Sequence, residues 1–145
     1  MSEKKIHLLL VEDERALREV TAERLEDHGY KVTQAESGEI ALQFLSDFAF
    51  DVVIADLRLP GIDGTQLIAT ALERYPNIVG IIVTGHGTIK NAVEAIKGGA
   101  SDFITKPFHF DHLLQLLSKA LEQRRLQSEN AYLRSQLEER YRFKG

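Results

Sequence analysis

An apolar run that ends in two carboxylates is the feature that most constrains this sequence. Ile6 and residues 8–11 form a nearly unbroken hydrophobic stretch, and Glu12 and Asp13 follow it directly. Such a run is typical of a strand in a parallel sheet that is covered on both faces, because the strand then has no wet side. In open α/β sheets, ligands bind at the carboxyl ends of the strands. The pattern therefore predicts a buried parallel strand with an acidic site at its end.

A second strand pattern repeats this arrangement, since residues 52–55 are apolar and Asp56 closes the run. If the two strands are neighbours, Asp13 and Asp56 lie close together, and two like charges about 4 Å apart repel by roughly 4 kcal/mol at an effective dielectric constant near 20. A divalent cation would relieve this repulsion, and a half-open site of oxygen ligands suits Mg²⁺. Glu12 and Asp13 could instead cap the helix that follows. Capping alone leaves the matching position of Asp56 unexplained.

Five apolar strand patterns alternate with helical patterns along the chain. The strands are predicted near residues 6–11, 31–35, 51–56, 78–83 and 101–105. Strands that alternate with helices in this way pair in parallel through right-handed crossovers, so the predicted fold is a three-layer α/β sandwich. The residues predicted to face inward from the first four helices are Leu17, Val20, Thr21 and Leu25; Ala41, Phe44, Leu45 and Phe48; Leu67, Ile68, Ala71, Leu72 and Tyr75; and Ile89, Ala92, Val93 and Ile96.

Composition excludes several classes of function. The chain of 145 residues has no cysteine, which removes disulfides, thiolate catalysis and thiolate metal sites. No apolar run approaches the roughly 18 residues that a membrane span needs, and no signal-peptide pattern precedes the first strand. The net charge of −4 shows no footprint for nucleic acid. We therefore expect a cytoplasmic domain that contacts neither membrane nor nucleic acid directly.

Polar residues at the predicted strand ends carry a resemblance to a known family. Asp56 precedes Leu-Arg-Leu-Pro-Gly, Thr84 precedes Gly-His-Gly-Thr, and Lys106 precedes Pro107. Together with the acidic pair, and in this order, these motifs resemble the receiver domain of two-component response regulators over about residues 4–122. The sequences of residues 84–88 and 100–103 are similar to receivers of the sigma-54 enhancer-binding, NtrC-like class.

The resemblance implies a strand order of 2-1-3-4-5 and a phosphoacceptor site. Asp56 would accept a phosphoryl group from a phosphohistidine on a sensor histidine kinase. The side chains of Asp13 and Asp56 and the backbone carbonyl of Arg58 would hold Mg²⁺, with Glu12 helping directly or through water. Such a domain is not an enzyme with an outside substrate, because it catalyses only its own phosphotransfer and autodephosphorylation.

The resemblance also implies a switch. Lys106 and Thr84 would each bind a phosphoryl oxygen, and Phe103 would turn inward as Thr84 moves toward the phosphoryl group. Phe103 lacks the hydroxyl that many receivers carry at this position, so an ordinary core role for its ring stays open. His86 is expected to belong to a mobile loop or a partner surface rather than to the metal site. The Lys106-Pro107 bond could be cis, as in the family, or trans.

The carboxyl-terminal segment has no helix breaker from about His109 to Arg142, so one helix of about 34 residues could rise about 50 Å. Residues 1–122 are predicted to form the receiver and residues 123–145 a helical linker. Beyond an inward stripe of Leu113, Leu117, Ala120 and Leu121, a heptad phase places Leu126 and Leu133 at d and Asn130 and Leu137 at a.

A single Asn at an a position favours a parallel two-stranded coiled coil, so the linker predicts a homodimer. A solvated linker without pairing is the alternative. Residues 141–145 resemble the start of an ATPase domain. By this resemblance the chain would lead to missing ATPase and DNA-binding output domains.

Other functions were weighed against a phosphorylation-controlled switch of transcription. A haloacid-dehalogenase-type phosphatase also forms an aspartyl phosphate, but it needs a second Asp where this chain has Arg58. A flavodoxin needs a hydroxyl-rich phosphate loop after the first strand, where residues 12–14 are acidic. A degenerate receiver that serves only as a dimerisation module is disfavoured by the complete set of site residues.

Overall fold

All five predicted strand and helix pairs are present in the computed structural model, which describes residues 5–85 and 89–144, with side chains described to residue 140. The strands are β1 (His7–Val11), β2 (Lys31–Ala35), β3 (Val52–Asp56), β4 (Val79–Thr84) and β5 (Asp102–Thr105). The helices are α1 (Arg15–Asp27), α2 (Gly38–Asp47), α3 (Gly64–Arg74), α4 (Ile89–Lys97) and α5 (Phe110–Lys144).

The strands form one parallel sheet in the order β2-β1-β3-β4-β5, which confirms the predicted topology. The chain winds outward in both directions from β1 and β3, so these two strands flank the point where the winding order reverses. Val11 of β1 pairs with Ala55 of β3. Glu12 directly follows Val11, and Asp56 directly follows Ala55. This register therefore brings Glu12 and Asp56 to the same edge of the sheet.

Side chains from alternate strand positions build a separate core on each face of the sheet. Leu9, Val11 and Val53 belong to a cluster that includes residues of α2, α3 and α4. Leu8 and Leu10 belong to a second cluster that includes residues of α1 and α5. Each fully buried Leu contributes about 1.5–3 kcal/mol through removal of apolar surface from water. The two cores hold the sheet between helical layers and make the three-layer sandwich.

The predicted inward face of α4 is wrong. Ile89, Val93 and Ile96 are 84%, 44% and 48% exposed, whereas Ala95 is buried in the first cluster and Ala92 is half-buried. The helix packs through its small residues and presents its larger apolar residues outward. Periodicity identified a stripe of apolar residues but could not decide which side of the helix meets the sheet.

Two further inward predictions are wrong. Val20 is exposed on α1, whose buried residues are Thr21, Ala22 and Leu25. Successive helical residues are rotated by about 100°, so Val20 lies at the side of this buried face. Phe48 is exposed because α2 ends at Asp47 and the backbone of Phe48 is already extended.

The long helix α5 changes environment along its length. Leu113 and Leu117 are fully buried against the sheet and Ala120 is buried, as predicted. Arg124 donates to the backbone carbonyl of Asp51 at 3.2 Å, which attaches α5 to the amino end of β3. From Arg125 to residue 140 every side chain is exposed. Within the residues described, no helix has the length and apolar character needed to cross a membrane.

Candidate functional site

Three carboxylates meet where β1 and β3 end. Glu12 and Asp56 are only 5% and 8% exposed, whereas Asp13 is exposed at the rim. One carboxylate oxygen from each residue lies within 4.8 Å of the others. The alternative capping role is not observed, because Glu14 is the N-cap of α1 and has no side-chain cap bond. The register of the sheet, rather than the start of α1, therefore explains why these acids are together.

Lys106 reaches from the end of β5 into this acidic cluster. Its Nζ lies 2.6 Å from Asp56 Oδ2 and 2.7 Å from Glu12 Oε1. The backbone N–H of Lys106 donates to the carbonyl of Thr84 at 2.7 Å, which joins the ends of β4 and β5. One ammonium thus partly neutralises the two buried acids.

The other oxygen of each buried acid accepts from the backbone of the turn that follows it. The N–H of Arg58 donates to Asp56 Oδ1 at 3.1 Å, and the N–H of Glu14 donates to Glu12 Oε2 at 3.1 Å. No buried side-chain nitrogen or oxygen within the described ranges lacks a hydrogen-bond partner. The site is therefore preorganised, since both carboxylates are held in one orientation by a charge and an amide.

The pKa values of this cluster report its burial. Burial raises the pKa of Glu12, although hydrogen bonds from Lys106 and from the backbone of Glu14 act in the opposite direction. Neighbouring Asp13 and Asp56 raise it further. Partial burial acts to lower the pKa of Lys106, but its hydrogen bonds to Asp56 and Glu12 outweigh that effect and raise the pKa overall. Burial therefore dominates the pKa shift of Glu12, whereas contact with two acids dominates that of Lys106.

The donor set fits Mg²⁺. The three carboxylates supply hard oxygen ligands, which this cation prefers, at the carboxyl edge of the sheet. Because these oxygens lie within 4.8 Å of one another, they are close enough to share one small cation. The loop after Asp56 adds backbone carbonyls, of which Arg58 was predicted as a ligand. A divalent cation here would also offset the charge that burial makes costly.

The other predicted site residues lie around this cluster. Thr84 is buried at the end of β4, and Phe103 is half-buried against the first core cluster. The Lys106-Pro107 bond is cis, which resolves the alternative that the sequence left open. His86 lies outside the described residues. The sequence predicted that Lys106 would bind a phosphoryl oxygen, but not that it contacts Glu12 and Asp56 in the protein alone. The position of a residue after β5 does not show which side chains it will contact.

A close approach at the start of α3 was also missed by sequence reasoning. Gly64 donates its N–H to the carbonyl of Leu57 at 3.0 Å, and its Cα lies directly against the backbone carbonyl of Asp56. A Cβ at this position would overlap that carbonyl oxygen. Gly64 therefore lets α3 start close to Asp56, the phosphoacceptor candidate.

We therefore expect Gly64→Ala to lower the free energy of unfolding by about 1–3 kcal/mol, the usual cost of forcing atoms into a packed site. Urea unfolding followed by circular dichroism measures the change. Gly85→Ala is the matched control, because a Cβ there meets nothing within 4 Å. Equal stabilities of the two variants would contradict the close approach.

The sequence is similar to those of proteins of a known family. A family model for the response regulator receiver domain matches residues 8–118. The chain belongs to this receiver family. The chain is 46% identical over 128 residues to the C4-dicarboxylate transport transcriptional regulatory protein DctD of Rhizobium meliloti, a match that covers 88% of the chain and 28% of DctD. The chain thus spans less than a third of this relative.

Solved structures agree with the family. The chain superposes on NtrX from Brucella abortus with a TM-score of 0.84 and 35% identity, covering 90% of the chain and 30% of NtrX. It superposes on a CheY-like receiver domain protein from Methanospirillum hungatei with a TM-score of 0.81 and 28% identity, covering 86% and 99% of the two chains. The curated relatives are NtrC-like regulators of the sigma-54 class, which confirms the predicted subgroup.

Proposed function

We propose that this receiver accepts a phosphoryl group on Asp56 in a Mg²⁺-dependent reaction and thereby controls the output of a transcription regulator. The contact of Lys106 with Asp56 inside a buried acidic cluster is the observation that carries the proposal. It supplies an acceptor carboxylate, a cation for the incoming charge and oxygen ligands for a metal within one small space. A sensor histidine kinase would be the phosphoryl donor, and this receiver would act in the cytoplasm.

Asp56 is the acid best placed to act as the nucleophile. One carboxylate oxygen would attack phosphorus while the bond from phosphorus to the histidine nitrogen breaks, and the nitrogen keeps the bonding electron pair. The N–H of Arg58 orients the Asp56 carboxylate at 3.1 Å. Lys106 would then exchange its contact with Asp56 for a phosphoryl oxygen, and Thr84 would bind another. Attack by water would later return the free carboxylate and inorganic phosphate.

Asp13, Asp56 and the carbonyl of Arg58 would hold Mg²⁺, with Glu12 as a direct or water-mediated ligand. When bound, the metal neutralises negative charge on the group in transfer. Glu12 has a second task within the chain, since its contact at 2.7 Å holds the Lys106 ammonium at the site. A phosphatase with an aspartyl intermediate stays less favoured because the exposed Arg58 offers no second carboxylate.

Thr84 and Phe103 would carry the change of state away from the site. Thr84 is buried at the end of β4. Phe103 of β5 pairs through its backbone with Ile82, which lies two residues before Thr84 on β4. Movement of Thr84 toward a phosphoryl group would open space beside β5, which the half-buried Phe103 ring could fill. Phe103 has no hydroxyl to bond in either state, so packing alone would drive its movement.

Intact-mass measurement after incubation with a small phosphoryl donor tests the proposal. The protein should gain the mass of one phosphoryl group in the presence of Mg²⁺ and remain unmodified when the metal is chelated. A chain that acts only as a dimerisation module would stay unmodified under both conditions. Such a result would overturn the phosphoacceptor proposal.

The exposed part of α5 would pair two copies of the chain and join the receiver, residues 1–122, to output domains. The helix is continuous to Lys144, so the predicted linker of residues 123–145 begins within it. Leu126, Leu133 and Leu137 are exposed large apolar residues. In a parallel pair the same heptad places Glu129 at g and Arg134 at e, where opposite charges attract across the interface. This charge pattern supports a homodimer over a solvated linker.

Asn130→Leu should tighten self-association by about tenfold or more, which corresponds to at least about 1.4 kcal/mol. The amide at a is satisfied only opposite its twin, so its removal also loosens specificity and should give mixed higher-order species. Sedimentation equilibrium measures both effects. Ser135→Leu is the control, because it adds the same side chain on the outer face of the helix. Truncation after Leu121 should weaken association, and unchanged association would leave α5 as a linker only.

A further inference from the structure

A clamp joins the start of α2 to the loop that follows Asp56. Residues 57–63 form this loop, which leads from β3 to α3. The backbone N–H of Ile62 donates to Glu39 Oε2 at 3.1 Å, although the two residues are 23 positions apart. Glu39 lies in the first turn of α2, where the helix dipole favours a negative charge. A charged acceptor on one element therefore holds the backbone of another.

Two glycines, one in the loop and one at the start of α2, allow the contact between Ile62 and Glu39 to be close. Gly61 has a φ of +76°, and its Cα lies so near the Glu39 carboxylate that a Cβ there would overlap both carboxylate oxygens. A Cβ on Gly38 would lie 2.8 Å from the carbonyl oxygen of Ile62. A larger residue at Gly38 would press on the backbone of Ile62, whereas one at Gly61 would displace the Glu39 carboxylate. The clamp thus depends on one carboxylate and two residues without side chains.

The clamp acts on a loop whose two ends are already secured. The N–H of Arg58 donates to Asp56 Oδ1 at 3.1 Å, which secures the beginning. A capping box between Asp63 and Gln66 secures the end, with the N–H of Gln66 donating to Asp63 Oδ1 at 2.8 Å. Glu39 contacts the stretch between them. Its loss would free the residues between the Arg58 amide and Asp63, which include the Arg58 carbonyl.

We propose that Glu39 is a positioning residue for the acidic site. It touches none of the three carboxylates in the cluster. It holds the loop after Asp56 and so sets the position of the Arg58 carbonyl, which Mg²⁺ would use as a ligand. Outer groups that orient metal ligands typically change metal affinity by about 10- to 100-fold. The clamp itself does not require a metal. Its effect on Mg²⁺ binding, however, rests on the proposed metal-dependent function.

Three variants separate positioning from charge. Glu39→Ala removes both the acceptor and the charge, whereas Glu39→Gln removes the charge and keeps an acceptor oxygen. Glu36→Ala removes the same charge from an exposed residue three positions away. Calorimetric titration of the metal-free protein gives the Mg²⁺ dissociation constant. Hydrogen exchange at the Ile62 amide gives the state of the clamp without any metal.

Glu39→Ala should speed exchange at Ile62 and weaken Mg²⁺ binding by about tenfold, the lower end of such effects. Glu39→Gln should restore most of both properties, and Glu36→Ala should change neither. Normal Mg²⁺ affinity in Glu39→Ala, or equal losses in Glu36→Ala, would overturn the positioning role alone. Absence of Mg²⁺ binding by the unmodified chain would instead overturn the proposed function, and this inference with it.

Discussion

Replacing Asp56 with Asn should abolish phosphoryl labelling completely while leaving the fold intact. The amide retains an oxygen that can accept from the N–H of Arg58, and Lys106 retains its contact with Glu12. The variant therefore loses the nucleophilic carboxylate without creating a cavity. It breaks the ion pair between Asp56 and Lys106 but also removes one negative charge from a buried cluster, so its stability should change little. Intact mass after treatment with a phosphoryl donor, together with circular dichroism, measures both outcomes.

Asp63→Asn is the matched control for this variant. Asp63 lies in the same loop and caps α3 through its side chain, and Asn is an equally good cap. The control makes the same chemical change seven residues away and should label normally. Undiminished labelling of Asp56→Asn would show that another acid is the acceptor. Equal loss in both variants would show that the loop, rather than the acceptor, had been damaged.

Replacing Asp13 with Ala should weaken Mg²⁺ binding by about a hundredfold, because loss of a direct ligand should cost at least as much as loss of an outer group. Asp13 is the exposed member of the acidic cluster, so its removal should cost little stability. Labelling should become dependent on much higher Mg²⁺ concentrations. Calorimetric titration and labelling at several Mg²⁺ concentrations measure the effect.

Glu14→Ala provides the comparison for Asp13→Ala. Glu14 is the adjacent exposed acid and the N-cap of α1, but its side chain makes no cap bond. Its removal changes the net charge equally and should leave Mg²⁺ affinity nearly unchanged, since solvent screens an exposed charge. If both variants lost affinity to the same extent, the metal would lie elsewhere on this surface.

The stretch from Ile6 to Asp13 shows how much of the fold and site could be predicted from sequence. Its uninterrupted apolar run required burial on both faces, and a strand buried on both faces requires covering helices. Connections through helices then impose parallel strands, whose carboxyl ends share one edge. These patterns place Glu12, Asp13 and Asp56 at one edge. That β1 and β3 are neighbours, so that the three acids meet, was an expectation from the resemblance, which the strand order confirms.

The orientation of α4 shows where sequence reasoning failed. Its apolar stripe of Ile89, Val93 and Ile96 was visible, but burial depends on the surface that the helix meets. The sheet accepts the small Ala95 side chain there, because close packing selects by shape as well as by hydrophobicity. The predictions that Val20 and Phe48 face inward were wrong for related reasons. Val20 lies at the side of the buried face of α1, and Phe48 lies beyond the end of α2.

The amino-acid sequence by itself determined the order of elements, the parallel sheet and the identity of the acidic residues, since these depend on short-range periodicity and on which side chains end each strand. Tertiary structure alone decided which acids Lys106 bridges, how closely Gly64 approaches Asp56, and that Glu39 clamps the loop at Ile62. Each of these contacts joins elements far apart in the chain or depends on distances of a few tenths of an ångström. No local pattern encodes such distances, because they result from the packing of all the layers together.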